Sequence, residues 1–143
     1  MEMRRFLIMT ASLAALGMTA AARAAPVEID LSGLRAGGRL YVQLQTREQF
    51  MGSARAAGEM VSAPAAGDLA VALDVPPGDY AATVWHDDNN NGRFDVDPAN
   101  GRPLDGVAMA NIETLRGVPT FDQVRLNVPA AGVKLPLALH YGR

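Results

Sequence analysis

Leu69-Ala70-Val71-Ala72-Leu73-Asp74-Val75 alternates a large apolar residue with a small or charged one, stops at Pro76-Pro77-Gly78, and is resumed by Tyr80 to His86. A period of two places every second side chain on one face, which is the signature of a strand with one face buried. Consecutive prolines remove ladder donors and a glycine tolerates a turn, so the two runs read as separate strands joined at a corner. Upstream, Leu40, Val42 and Leu44 alternate with Tyr41, Gln43 and Gln45, and Val27, Ile29 and Leu31 alternate with Glu28, Asp30 and Ser32; Gly33 to Gly38 is expected to turn between them. Downstream, Val124, Leu126 and Val128 alternate, then Val133, Leu135, Leu137 and Leu139 after a turn at Pro129 to Gly132. Pro136 lies inside that last run, and its missing N–H assigns it to a sheet edge or a bulge.

Six strands are therefore legible. Between the second and third, Arg47 to Gly67 shows no sustained helical period and is expected to hold a helical turn, with or without another short strand. Short strands, Gly and Pro turns and no long amphipathic helix define an all-β chain, a single antiparallel β-sandwich of about seven strands. The 143 residues suffice for one domain. There is no Cys, which excludes disulfides, thiolate nucleophiles and sulfur-ligated metals, and the net charge of −2 lacks the basic excess that nucleic acid requires.

Residues 1–24 read as a cleaved signal peptide. Arg4 and Arg5 precede an apolar stretch, Phe6 to Met18, too short to cross a hydrocarbon core comfortably, and Ala22-Arg23-Ala24 supplies the small residues that signal peptidase requires. Cleavage after Ala24 leaves residues 25–143 as the β-sandwich domain, with ten basic and fourteen acidic side chains. The expected location is periplasmic or secreted, without stable membrane insertion after cleavage; an uncleaved anchor is the alternative.

One loop carries metal-binding chemistry. His86-Asp87-Asp88-Asn89-Asn90-Asn91-Gly92-Arg93-Phe94-Asp95 contains D-x-N-x-N-G, the spacing by which alternate side chains turn their oxygens toward one cation. Asp87, Asn89 and Asn91 are the candidate ligands, with the Arg93 carbonyl and Asp95 as further oxygens. Calcium suits this inventory better than zinc, at an affinity of about 10⁻⁴ to 10⁻³ M. Pro98 stands where an EF-hand has its bidentate Glu, so the loop is no EF-hand; Asp97 or Asp105 could complete the shell. Metal-free loops use the same residues for Asx turns and left-handed backbone.

The remaining polar residues are less specific. His86 and His140 are the only histidines and need carboxylates to make a zinc site. On alternation His140 points outward. Trp85 shares the parity of Ala81 and Thr83, His86 that of Tyr80, Ala82 and Val84, and which set faces the core is open. An outward Trp85 beside the acidic loop marks a binding surface; a buried one is packing. Ser32, Ser53 and Ser62 lie in no nucleophile motif, there is no phosphate loop, and no catalytic residues are assigned.

The corner Pro77-Gly78-Asp79-Tyr80, followed by Ala82 and Val84, resembles the turn-then-tyrosine entry of transthyretin-like and carboxypeptidase-regulatory-like sandwiches, and the expected sandwich is transthyretin-like/immunoglobulin-like. Pro76-Pro77-Gly78-Asp79-Tyr80-Ala81, the run from His86 to Asp95, Gly101-Arg102-Pro103-Leu104-Asp105-Gly106 and Gly117-Val118-Pro119-Thr120-Phe121-Asp122 together resemble a bacterial exported family of unknown function, domain of unknown function 2141. Asp105 stands in place of that pattern's usual Glu, and Ala110-Asn111 in place of Ser-Asn. The resemblance implies an extracytoplasmic β-sandwich without an established activity. The resulting expectation is a non-catalytic module whose 87–95 loop binds calcium and shapes a surface for a protein or envelope glycan. The alternative is a small periplasmic hydrolase of transthyretin-like architecture, although Leu139-His140-Tyr141-Gly142-Arg143 departs from the Tyr-Arg-Gly-Ser ending of such enzymes.

Overall fold

A computed structural model describes residues 23–143, so the expected signal peptide lies outside the described residues except for Arg23 and Ala24. Eight strands follow: β1 (Ala25–Leu34), β2 (Arg39–Gln45), β3 (Ala57–Ser62), β4 (Gly67–Val75), β5 (Gly78–Asp87), β6 (Gly106–Met109), β7 (Arg125–Val128) and β8 (Val133–Ala138). A 3₁₀ turn at Ile112–Thr114 and one helical turn, α1 (Phe121–Val124), complete the inventory. The strands form two sheets. One has the order β4-β1-β8; the other runs β3-β2-β5-β6, with β7 also on β5. β6 pairs with Thr83 to His86 and β7 with Gly78 to Ala81, so the two short strands share one long partner.

The alternating residues build the core. Val27, Ile29 and Leu31 of β1, Leu40, Val42 and Leu44 of β2, Val71, Leu73 and Val75 of β4, and Tyr80, Ala82 and Val84 of β5 are all buried in one cluster between the sheets. This settles the parity of β5: His86 faces inward and is fully buried, while Trp85 lies on the outer face of the larger sheet and is half-buried. The corner tyrosine, Tyr80, donates its hydroxyl hydrogen to the Pro76 carbonyl across the turn (2.7 Å).

Several expectations need correction. The sandwich is antiparallel except at β1 and β8, which run parallel with Asp30 opposite Pro136. The turn expected at Gly33 begins later, because β1 continues through a bulge between Leu31 and Leu34. Val124 belongs to α1 rather than to β7, and β6 is a strand that alternation did not reveal. Pro136 lies on an edge strand as expected. The Leu139 N–H continues the ladder to the Ser32 carbonyl (2.9 Å), so odd-numbered residues face β1 and Pro136 has its missing donor on the free side. At His140 the chain changes sheets, exchanging two hydrogen bonds of 2.9 Å with Val107 of β6. Residues 141–143 therefore reach the end of the sandwich where the Asp- and Asn-rich connection emerges.

Candidate functional site

That connection leaves β5 at Asp87 and returns to β6 at Gly106. Asp87 is buried, and its carboxylate holds the first turn: Oδ1 accepts the Asn91 N–H (3.1 Å) and Oδ2 the Gly92 N–H (2.8 Å). Asn89 Oδ1 also accepts from Asn91 N (3.1 Å), and Asn91 Oδ1 accepts from Arg93 N (2.9 Å), so successive Asx turns wind the backbone. Asn90 and Gly92 take left-handed conformations, with φ of 57° and 74°. Those are residue types that tolerate this region at low cost.

With both asparagine oxygens engaged, the amide nitrogens turn inward. Asn89 Nδ2 and Asn91 Nδ2 each donate to Asp95 Oδ2 at 2.9 Å. Asp87, Asn89, Asn91 and Asp95 are thus brought together, while Arg93 joins through its main-chain N–H and keeps its side chain exposed. Asp97 is directed elsewhere, since its carboxylate accepts from Ala99 N and Asn100 Nδ2 in a second turn. That turn caps a two-rung hairpin in which Asp97 N bonds the Arg102 carbonyl and Leu104 N the Asp95 carbonyl, each at 2.8 Å.

Asp105 enters the site from the start of β6, completely buried. Its Oδ2 accepts from Trp85 Nε1 (2.9 Å) and Asp95 N (3.1 Å), and its Oδ1 accepts from Arg143 Nη2 (2.6 Å). The same guanidinium lies 2.8 Å from Asp88 Oδ1 and 3.4 Å from Asp95 Oδ2. A second arginine, Arg35, reaches Asp88 Oδ2 (3.1 Å) and the Arg143 carbonyl (2.6 Å). Burial pushes Asp88 upward, but hydrogen bonds from Arg143 and Arg35 and their charges outweigh it and hold the carboxyl below its ordinary value. Asp95 is also held low, first by the Asn89 amide, then, against a smaller effect of burial, by Asn91 and Arg143.

His86 lies beneath this layer. Its Nε2 is 2.7 Å from the Gly37 carbonyl, which can only accept, so that nitrogen carries a hydrogen. In the neutral ring Nδ1 accepts from the Tyr141 hydroxyl (2.7 Å), which in turn accepts from Arg35 N (3.1 Å). Both ring nitrogens are engaged within the fold. His140, by contrast, is exposed, with Glu113 the nearest acid at 3.8 Å.

Trp85 borders the connection on the outer sheet face. It stacks on Tyr41 (centroids 4.8 Å apart, planes at 15°) and meets Phe94 edge-on at 6.1 Å. Register sets Met60, Tyr41, Trp85 and Val107 in one row across β3, β2, β5 and β6. Met60 (51%), Phe94 (50%) and Val96 (44%) are the exposed apolar members of this neighbourhood.

The donor set bears directly on calcium. Among the described residues no three His, Cys, Asp or Glu side chains group as metal ligands, so amide and carbonyl oxygens are needed. In the closed loop the inward groups are two amide NH₂ and a guanidinium, all donating to Asp95. An ion at this position requires both amides to turn and Arg143 to give up its 3.4 Å contact with Asp95 while it stays seated on Asp88 and Asp105.

Sequence reasoning located the loop but missed Arg143, Arg35 and the tie between Trp85 and Asp105. A lone arginine 48 residues from Asp95 carries no local signal of its partner.

The chain is thus a two-sheet β-sandwich carrying an Asx-wound connection locked by a guanidinium. The chain belongs to the bacterial family described as Uncharacterized protein conserved in bacteria (DUF2141), whose model matches residues 29–135. No curated protein and no solved structure matches it.

Proposed function

We propose that the chain works outside the cytoplasm as a non-catalytic binding module, in which the 87–95 loop takes calcium weakly and shapes, with Trp85, an outer-face surface for a protein partner. The carrying observation is the convergence of Asp87, Asn89, Asn91 and Asp95 beside a tryptophan that faces away from the core. Calcium would be held by those four side chains and the Arg93 carbonyl, and its part is to stiffen the connection.

An envelope glycan is the other occupant. Tyr41 and Trp85 stack on each other, so each spends on the other a ring face that a sugar would need. Ring edges with exposed Met60, Phe94 and Val96 suit the apolar side chains of a protein better. The non-catalytic reading draws on His86, whose nitrogens are both bonded within the fold, and on serines that stand apart from any base in sequence motif. Export draws on Arg4-Arg5, the Phe6 to Met18 stretch and Ala22-Arg23-Ala24; β1 begins at Ala25, the residue exposed by the expected cleavage and itself wholly buried in the fold.

Trp85 is the only tryptophan, so its emission reports on this site alone. Calcium at about 1 mM, bound with a Kd of about 0.1 mM, adds about 1.4 kcal/mol, a rise of about 5 °C in the melting midpoint. The test is a melting curve of residues 25–143 followed at Trp85 in EDTA, calcium or magnesium, then titration with muropeptides as the glycan probe. Coincident EDTA and calcium curves would retire the metal reading, and saturable quenching by muropeptides would replace the protein partner with a glycan.

A further inference from the structure

The segment from Leu139 to Arg143 touches the Asp- and Asn-rich connection at its base and along its length. Tyr141 packs its ring on Gly106, where a Cβ would collide with it, and bonds His86 through its hydroxyl (2.7 Å). Gly142 lies flat against the Pro103 carbonyl, with no room for a Cβ, and its N–H reaches the Leu104 carbonyl (3.3 Å). Arg143 bridges Asp88, Asp95 and Asp105. Arg35 clamps the segment from the other side, its guanidinium 4.1 Å above the Tyr141 ring and bonded to the Arg143 carbonyl (2.6 Å).

The geometry points to residues 139–143 as a strap that sets the conformation of residues 88–105, so that the surface around Trp85 and Phe94 is complete only while Arg143 is seated. The chain of contacts is short. Arg143 satisfies Oδ1 of buried Asp105, whose Oδ2 fixes both the Trp85 indole and the Asp95 main chain, and Phe94 is the residue before Asp95. Unseating the guanidinium leaves a buried carboxylate without its cation, and water can then relieve it only if the connection opens. The surface named above is the one controlled, but the strap can be tested without knowing what binds there.

Arg93 is an exposed trypsin site inside the connection, and Trp85 reports from its wall. In the purified protein, Arg143→Ala is expected to speed cleavage after Arg93 by about tenfold or more, red-shift Trp85 emission and lower the melting midpoint by roughly 5–10 °C while the far-ultraviolet spectrum stays that of a β protein. Gly142→Ala, which pushes the strap off Pro103 without removing a charge, is expected to reproduce the faster cleavage and the red shift. Arg143→Lys keeps the charge but loses the fork, and should fall between wild type and Ala; it carries the test if Arg143→Ala does not fold. Wild-type cleavage and emission in folded Gly142→Ala, or in whichever Arg143 variant folds, would overturn the proposal.

Discussion

Asp87 uses both carboxylate oxygens on main-chain N–H groups of its own loop, and Gly92 has Asp87 Oδ2 as its acceptor. Replacing Asp87 by Ala removes both acceptors from a buried position, and the expected loss is about 2 kcal/mol in urea denaturation, with Asp87→Asn costing less because one oxygen remains. Asp88 and Asp95 give the site its pH dependence. Their folded values lie below the ordinary carboxylate value of about 3.9, so the folded state binds protons less readily than the unfolded one. Their contribution is then fully present above about pH 5 and is lost as pH falls through the folded values. The unfolding free energy should decline as pH falls from about 4 to 3, and the decline should be smaller in Arg143→Ala. A profile without that decline would place the arginines away from these carboxylates.

Elements divide into those that sequence periodicity reveals and those that it does not. β1 is the legible kind: Val27, Ile29 and Leu31 face the core, while Glu28 and Asp30 share Lys134 across the outer face. Ile29→Ala should cost about 3 kcal/mol, since β1 is paired on both sides and the site cannot easily collapse. Glu28→Ala should change stability by less than about 1 kcal/mol, because its pair with Lys134 is exposed. Denaturation of the two variants measures this contrast. β6 is the other kind. Four residues beginning with Gly106 hold too little alternation to stand out, and the strand exists because β5 offers Thr83 to His86 as partners. The parallel pairing of β8 with β1 was equally hidden, because a period of two is the same read in either direction. Pro136 was an exception, since the consequence of its missing N–H is local and shows at once as an edge.

Over the whole molecule, residues 67–143 carry ten acidic and six basic side chains, and the fold gathers Asp87, Asp88, Asp95 and Asp105 at one end of the sandwich. Arg143 offsets part of that charge, through contacts that exist only once β8 and the residues after it have crossed between sheets. The loop was therefore legible as Asp-x-Asn-x-Asn-Gly, whereas the cation seated on it was a property of topology. The same holds for Trp85: its parity was read from the sequence, but its outward side was fixed only when Val84 and His86 were placed in the core. The proposed role requires this connection to respond to a cation next to an outward tryptophan. Melting residues 25–143 with Trp85 emission as the signal, in EDTA and in about 1 mM calcium, tests it most directly. A midpoint about 5 °C higher in calcium, with magnesium giving less, is the predicted result; superimposable transitions would contradict it.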